Sequence, residues 1–123
     1  MKVIIAGSRS VTEMKDLENA LTKLLNLNPN FIMRVTEVVS GTAVGADQLG
    51  EAWALRHNKP VKKMPADWKK YDRAAGAIRN REMARYADMA IVLWDGYSHG
   101  AKNMVEEMRR LNKPYFLELV DVD

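Results

Sequence analysis

The stretch Val38-Val39-Ser40-Gly41-Thr42-Ala43-Val44-Gly45-Ala46-Asp47 decides the fold. An apolar run enters it, two glycines break it, and a helical apolar pattern (Ala46, Leu49, Trp53, Ala54) leaves it, closing near His57-Asn58. A strand that stops in a glycine-containing turn and opens a helix leaves backbone N–H groups pointing at one place, which suits an anion. This turn is therefore expected to be an anion cradle, and the rest of the chain its walls.

Working outward, Lys2 to Ala6 reads as a short buried strand followed by Gly7-Ser8-Arg9. Ser10 with Glu13 predicts a capping box opening a helix, whose apolar face is Met14, Leu17, Ala20, Leu21, Leu24 and Leu25, and Asn28-Pro29 ends it. Val35 to Val39 is the second strand, and Val61 to Met64 a third, flanked by lysines as edge strands often are. Pro65 to Ala77 has no clean period and reads as a lid or binding loop. Arg79 to Ala87 is helical, and Met89 to Trp94 is a fully apolar strand followed by the polar turn Asp95 to Gly100. A last helix carries Ala101, Met104, Val105, Met108 and Leu111, and Tyr115 to Val120 closes the sheet. Strands alternating with helices predict an α/β class, Rossmann-like, with a parallel five-stranded sheet and helices on both faces. Repeats and a domain boundary are absent, so residues 1–123 are expected to be one domain. Ligands of such sheets bind beyond the carboxyl ends of the strands. Gly7 to Arg9, Ser40 to Gly45, Pro65 to Ala77 and Asp95 to Asn103 should therefore share one rim.

Composition narrows the chemistry. The chain of 123 residues has no cysteine, which removes disulfides and thiolate zinc sites, and only two histidines, His57 and His99. No apolar run approaches the roughly 18 residues of a membrane span, and the opening reads as a strand rather than a signal peptide, so a cytoplasmic location without membrane partners is expected. The net charge of +3 hides an asymmetry: residues 56–85 hold ten Lys/Arg against three acids, an excess of +7, leaving −4 elsewhere. Such a segment suits an anionic partner, phosphate or nucleic acid, or is simply a basic solvated surface.

Individual residues carry both a functional and a plainer reading. Arg79 and Asn80 occupy the first turn of a core-facing stripe. Arg79 should hold a ligand phosphate or pair internally with Asp88 or Asp95, while Arg81 and Arg85 fall off the stripe and should be solvated. Asp47 either complements a helix dipole or binds a ligand hydroxyl. Ser98 can cap the last helix, and Gly96 and Gly100 permit close approach to backbone. His99 has no obvious orienting carboxylate and is expected to be non-catalytic. Trp68 and Tyr71 either anchor their loop or stack on a base, and Trp53 and Met108 should be core. Gly7-Ser8-Arg9 is not the dinucleotide fingerprint, and Gly41 to Asp47 lacks the Lys-Ser/Thr pair of a P-loop, so neither ordinary NAD binding nor magnesium-dependent NTP hydrolysis is expected, and no cofactor or metal is assigned.

Ile5 to Arg9, Val39 to Asp47, Pro65 to Trp68, Gly76 to Met83 and Trp94 to Asn103 together resemble the YspA-related branch of the SLOG superfamily over nearly the whole chain. The resemblance implies a Rossmann-like domain of the kind found in Lonely Guy phosphoribohydrolases and the DNA-processing protein DprA, with small stand-alone versions in bacteria and phages. It also implies a nucleotide or nucleotide-derived ligand and frequent association into homodimers. The ligand-binding residues expected are Gly7, Ser8, Arg9, Ser40, Gly41, Thr42, Gly45, Asp47, Trp68, Arg79, Asn80, Asp95, Gly96, Ser98, Gly100 and Asn103. The enzymatic cousins carry an Arg-Lys pair and a Pro-Gly-Gly-x-Gly-Thr-x-x-Glu turn that serve hydrolysis of the ribose–base bond. Here Arg79 matches the arginine, but Asn80 stands at the lysine, Ala101 at the threonine and Asn103 at the glutamate. An amide cannot take up a proton as a carboxylate does, and losing such a group typically costs ~10²–10⁴ in rate. The leading expectation is therefore a sensor or sequestering protein for a nucleotide-derived, ADP-ribose-like molecule. The alternative is an N-glycosidic hydrolase of nucleoside monophosphates drawing on Arg79, with Asp95 or Glu107 as base. The third is single-stranded nucleic-acid binding through the basic segment with Trp68 or Tyr71.

Overall fold

Alternation of apolar side chains along the strands sets up two cores, one on each face of the sheet. In a computed structural model, which describes residues 1–122, the strands are β1 (Lys2–Gly7), β2 (Glu37–Ser40), β3 (Val61–Lys63), β4 (Met89–Trp94) and β5 (Tyr115–Leu119). All pair in parallel, in the order β3-β2-β1-β4-β5. The helices are α1 (Met14–Leu27), α2 (Phe31–Arg34), α3 (Ala46–Arg56), α4 (Trp68–Tyr71), α5 (Ala75–Tyr86) and α6 (His99–Arg110), with a 3₁₀ turn at Asp72–Ala74. Val3, Ile5, Val38, Ile91 and Leu93 point to the face covered by α1 and α3. Ile4, Ala6, Val39, Ala90 and Val92 point to the face covered by α5 and α6. The expected parallel five-stranded Rossmann-like sheet with helices on both faces is what the chain forms. No described helix is long and apolar enough to cross a membrane.

Local departures from expectation have local causes. Strand β2 begins at Glu37 rather than Val35, because the short helix α2, which the sequence pattern did not signal, runs to Arg34 and takes Val35 as its C-cap, with Phe31 and Val35 buried in the core on the α1 and α3 face. The Ser10–Glu13 capping box does not form: Glu13 is the N-cap of α1 without a side-chain bond, and the Ser10 hydroxyl donates to Asp95 at 2.7 Å. Residues 65–77 are not a structureless loop, since α4, the 3₁₀ turn and the first turn of α5 lie inside them. The Asp67 carboxylate accepts from the Lys70 N–H and caps α4. Leu111 lies beyond α6 and is exposed, while Trp53 and Met108 are core as expected.

The order of the strands reverses between β1 and β4, whose carboxyl ends therefore open a crevice rather than being bridged by a connection. Two serines close the bottom of that opening. The Ser8 and Ser98 hydroxyls share a hydrogen bond of 2.7 Å, and the Asp95 N–H donates to the Ser8 hydroxyl at 3.0 Å.

Candidate functional site

A cleft of about 450 Å³ occupies this crevice. Its floor is Ala6 and Gly7 of β1 with Met83 and Met104, one wall is Arg79, Asn80, Gly76 and Ala77 of α5, and the opposite rim is Arg9, Ala43 and Asp47. The start of α6 contributes His99, Gly100 and Asn103, and the mouth is framed by Trp68 and Arg73. The volume falls in the range of small-molecule pockets, with a few convergent polar groups over an apolar floor.

The turn after β2 is built to aim groups rather than to leave them free. Thr42 holds φ +65, a conformation that costs a β-branched residue energy. With that twist its N–H donates to the Ser40 hydroxyl at 3.1 Å, and the next N–H, of Ala43, donates to Asp47 at 3.1 Å. Ser40 in turn donates to Glu51 at 2.6 Å. Gly45 sits at φ +84 against the Arg9 backbone, where a Cβ would lie 2.5 Å from the Arg9 carbonyl oxygen. The Ala46 N–H donates to the Ser8 carbonyl. The N–H groups of Thr42, Ala43 and Ala46 are held by acceptors of the chain itself, and the turn brings Ala43 and the Asp47 carboxylate to the cleft.

Asp47 is 5% exposed and lines the cleft. Burial pushes its carboxyl up to about 6, against the lowering effects of the Ala43 N–H and of Arg79 and Arg9. Asp47 also stands in the first turn of α3, where a carboxylate complements the helix dipole. Arg79 donates from Nη1 to the Gly41 carbonyl at 2.6 Å and from Nε to Asn80 Oδ1 at 2.9 Å. Neither Asp88 nor Asp95 pairs with it: Asp88 accepts from the Lys2 N–H at the far end of the sheet. Desolvation lowers the Arg79 pKa although Asp47 supports its charge. A Cβ on Gly41 would meet both Arg79 Nη1 (2.6 Å) and Asp47 Oδ2 (2.8 Å), so a glycine is needed there for these groups to face one another.

Asn80 ties the two helices. Its Nδ2 donates to the Gly100 carbonyl at 3.2 Å and to Asn103 Oδ1 at 3.0 Å, which fixes both amides at the cleft wall. The first turn of α6 opens beside them. Ser98 is its N-cap but makes no side-chain cap bond, because its hydroxyl is turned to Ser8. An α6 N-terminus presented to the cleft favours negative charge there.

Of the residues singled out from sequence, Gly7, Arg9, Asp47, Trp68, Arg79, Asn80, Gly100 and Asn103 are brought together around the cleft. Ser8, Ser40, Gly41, Gly45 and Ser98 shape its walls from behind, and Thr42 and Gly96 are exposed beyond it. Asp95 is held well below the usual carboxylate range by the N–H groups of Ser98 and Tyr97 and by the Ser10 hydroxyl, and it braces the turn rather than lining the cleft. Glu107 is buried between Arg81 (3.4 Å) and Arg110 (3.5 Å), also off the cleft, so Arg81 is not simply solvated. Arg73 and Ala43 were missed: Arg73 falls in the aperiodic segment, and the direction of its side chain has no sequence signal. His99 lines the cleft mouth and has no side-chain hydrogen-bond partner among the described residues. No three His, Cys, Asp or Glu side chains converge on a metal site among the described residues.

A family model described as the YspA, cpYpsA-related SLOG family matches residues 1–71. The chain is 31% identical over 119 residues to the Gene 61 protein of Mycobacterium phage D29, a match that covers 92% of both chains. No solved structure matches.

Proposed function

The chain belongs to the YspA, cpYpsA-related SLOG family, and from that premise we propose that it captures a nucleotide-derived anion of the ADP-ribose type in a sensing or sequestering role. The observation that carries this reading is the pairing of three arginines, Arg9, Arg73 and Arg79, with an open helix N-terminus and a half-exposed indole around one cleft. Phosphate oxygens meet the α6 start and the guanidiniums, which hold them in charge-assisted bonds. Trp68, 52% exposed at the mouth, offers a face for a base, and Asp47 accepts from a ribose hydroxyl. Asn103 in place of a carboxylate removes the proton-handling group expected of a hydrolase, and both Asp95 and Glu107 are engaged elsewhere.

One observation favours a second reading. Asp47, with its carboxyl near 6, is a group in the cleft able to take up and release a proton close to neutrality. An N-glycosidic hydrolase would use it as the base that activates water. The nucleic-acid reading gains less, since the basic residues diverge: Lys62 lies over the Tyr86 ring, Arg81 is on Glu107, and Arg73 and Arg79 face the cleft.

Incubation with ADP-ribose and with nucleoside monophosphates, followed by calorimetry and by chromatography for released base, separates the readings. Saturable heat without released base is the expected result. Base release that disappears in both Asp47→Asn and Arg79→Ala would establish the hydrolase instead.

A further inference from the structure

Asn80 is buried at the cleft wall, and the groups around it fix which way its amide points. Arg79 Nε is only a donor, so the Asn80 atom 2.9 Å from it must be Oδ1. The Gly100 carbonyl is only an acceptor, so the Asn80 atom 3.2 Å from it must be Nδ2. A reversed amide would set donor against donor at Arg79 and acceptor against acceptor at Gly100, losing both bonds.

This constraint passes on to Asn103. The second hydrogen of Asn80 Nδ2 needs an acceptor, and Asn103 Oδ1 supplies it at 3.0 Å. Asn103 Nδ2 is thereby left over. It makes no bond to the described residues, and since no enclosed side-chain nitrogen among them lacks a partner, it opens onto the cleft that Asn103 lines.

The side-chain acceptors of this wall are meanwhile spent, Asn80 Oδ1 on Arg79 and Asn103 Oδ1 on Asn80, and the Gly100 carbonyl is taken by Asn80 as well. What the wall offers a ligand is donors: the Asn103 amide and the Arg79 N–H groups not used by Asn80 and Gly41. A hydroxyl placed there could accept but would find nothing to donate to, whereas a phosphate oxygen is an acceptor alone. Asp47, an acceptor when ionised, stands on the opposite rim.

We propose that Asn103 is a specificity-determining residue whose Nδ2, aimed by Asn80, donates to a phosphate oxygen of the ligand beside Arg79. This rests on the capture of a phosphorylated ligand in the cleft and adds the neutral group that reads its phosphate side. The buried Asn80 is the positioning residue, because one amide orients both the guanidinium and the second amide. With donors on this wall and the Asp47 carboxylate across from it, a ligand carrying both phosphate and hydroxyls enters in one direction only.

Asn103→Asp tests the assignment with little change of shape. A carboxylate oxygen still accepts from Asn80, so the wall is kept, while the atom facing the cleft turns from a donor into a charged acceptor. Calorimetry should find ADP-ribose ~10–100-fold weaker in the variant, as loss of a bond to a charged group requires, and adenosine within about threefold of wild type. Equal weakening of both ligands would mean that Asn103 only holds the wall together, and unchanged affinity for ADP-ribose would mean that its amide does not meet the phosphate. Either result overturns the proposal while leaving capture by the arginines standing. A second measurement does not depend on the nucleotide. In proton–nitrogen correlation spectra of the full chain, the side-chain amide signals missing from Asn103→Asp identify Asn103. Its amide protons should exchange freely with water and shift on titration with inorganic pyrophosphate. Protons protected from exchange, or signals that pyrophosphate leaves unmoved, overturn the proposal even where ADP-ribose itself fails to bind, a failure that counts against nucleotide capture alone.

Discussion

Replacing Asp47 by asparagine should stabilise the protein, and only where the carboxylate would be charged. Burial raises the Asp47 carboxyl from its ordinary value of 3.8 to about 6, so the folded state binds a proton more tightly than the unfolded chain. The sign follows: the neutral acid is tolerated fully below the unfolded value, and stability is lost as pH rises through the folded value. A shift of about two units at about 1.4 kcal/mol each amounts to about 3 kcal/mol, of which about 2 kcal/mol falls between pH 4.5 and pH 8. Asparagine keeps an oxygen for the Ala43 N–H and carries no charge to desolvate. Urea unfolding at those two pH values, for both chains, should give a stability difference that favours Asp47→Asn at pH 8 and shrinks by about 2 kcal/mol at pH 4.5. Parallel dependences for the two chains would refute the reasoning, because Asp47 would then carry no burial penalty. A carboxylate kept where it costs stability is what a functional group in a cleft looks like, so the stabilised variant should also bind ligand more weakly.

Other expectations follow from the same geometry. Thr42→Asn, tolerated at positive φ, should raise the urea midpoint by the equivalent of about 1 kcal/mol, and an unchanged midpoint would mean that the backbone there is not strained. Gly45→Ala should cost more than about 2 kcal/mol because its Cβ meets the Arg9 backbone, whereas Gly96→Ala, with open space at φ +88, should cost about 1 kcal/mol; thermal melts compare the two. Glu107→Gln should leave ligand affinity within about twofold while lowering stability by roughly 1–3 kcal/mol, since its carboxylate lies on Arg81 and Arg110 outside the cleft; a large loss of affinity at unchanged stability would bring Glu107 back as a site residue.

The sheet was legible because period-two alternation and continuous apolar runs depend only on which face a side chain takes. Val3 and Ile5 against Ile4 and Ala6 illustrate it, each pair ending in its own core. The rim was legible too, since every loop after a strand in a parallel sheet comes to the same edge. What the sequence left open was competition between partners distant along the chain. Ser10 looks like a cap for α1 until Asp95 takes its hydroxyl, and Ser98 looks like a cap for α6 until Ser8 does. Arg79 looked for an acid and found the Gly41 carbonyl, which no side-chain pattern could announce. Asp47 had the spacing of a dipole partner, but it is buried to 5% exposure by the fold, and burial is what changes its chemistry. The aperiodic stretch hid α4 because a single helical turn with no buried residue leaves no apolar period.

The central claim is that Arg73 and Arg79 hold the phosphate of a nucleotide-derived ligand beside Trp68. Titrating ADP-ribose, AMP and adenosine while following indole fluorescence measures it most directly. Trp68 is the most exposed of the three tryptophans, and Arg73 is exposed on its 3₁₀ turn, so Arg73→Ala removes charge without disturbing packing. Saturable quenching by ADP-ribose is expected, weakened at least ~10-fold in Arg73→Ala and ~10–100-fold in Arg79→Ala, as lost charge-assisted bonds require, with adenosine binding far more weakly than either phosphorylated ligand. Equal affinity for adenosine and ADP-ribose, or binding undiminished in both arginine variants, would contradict it.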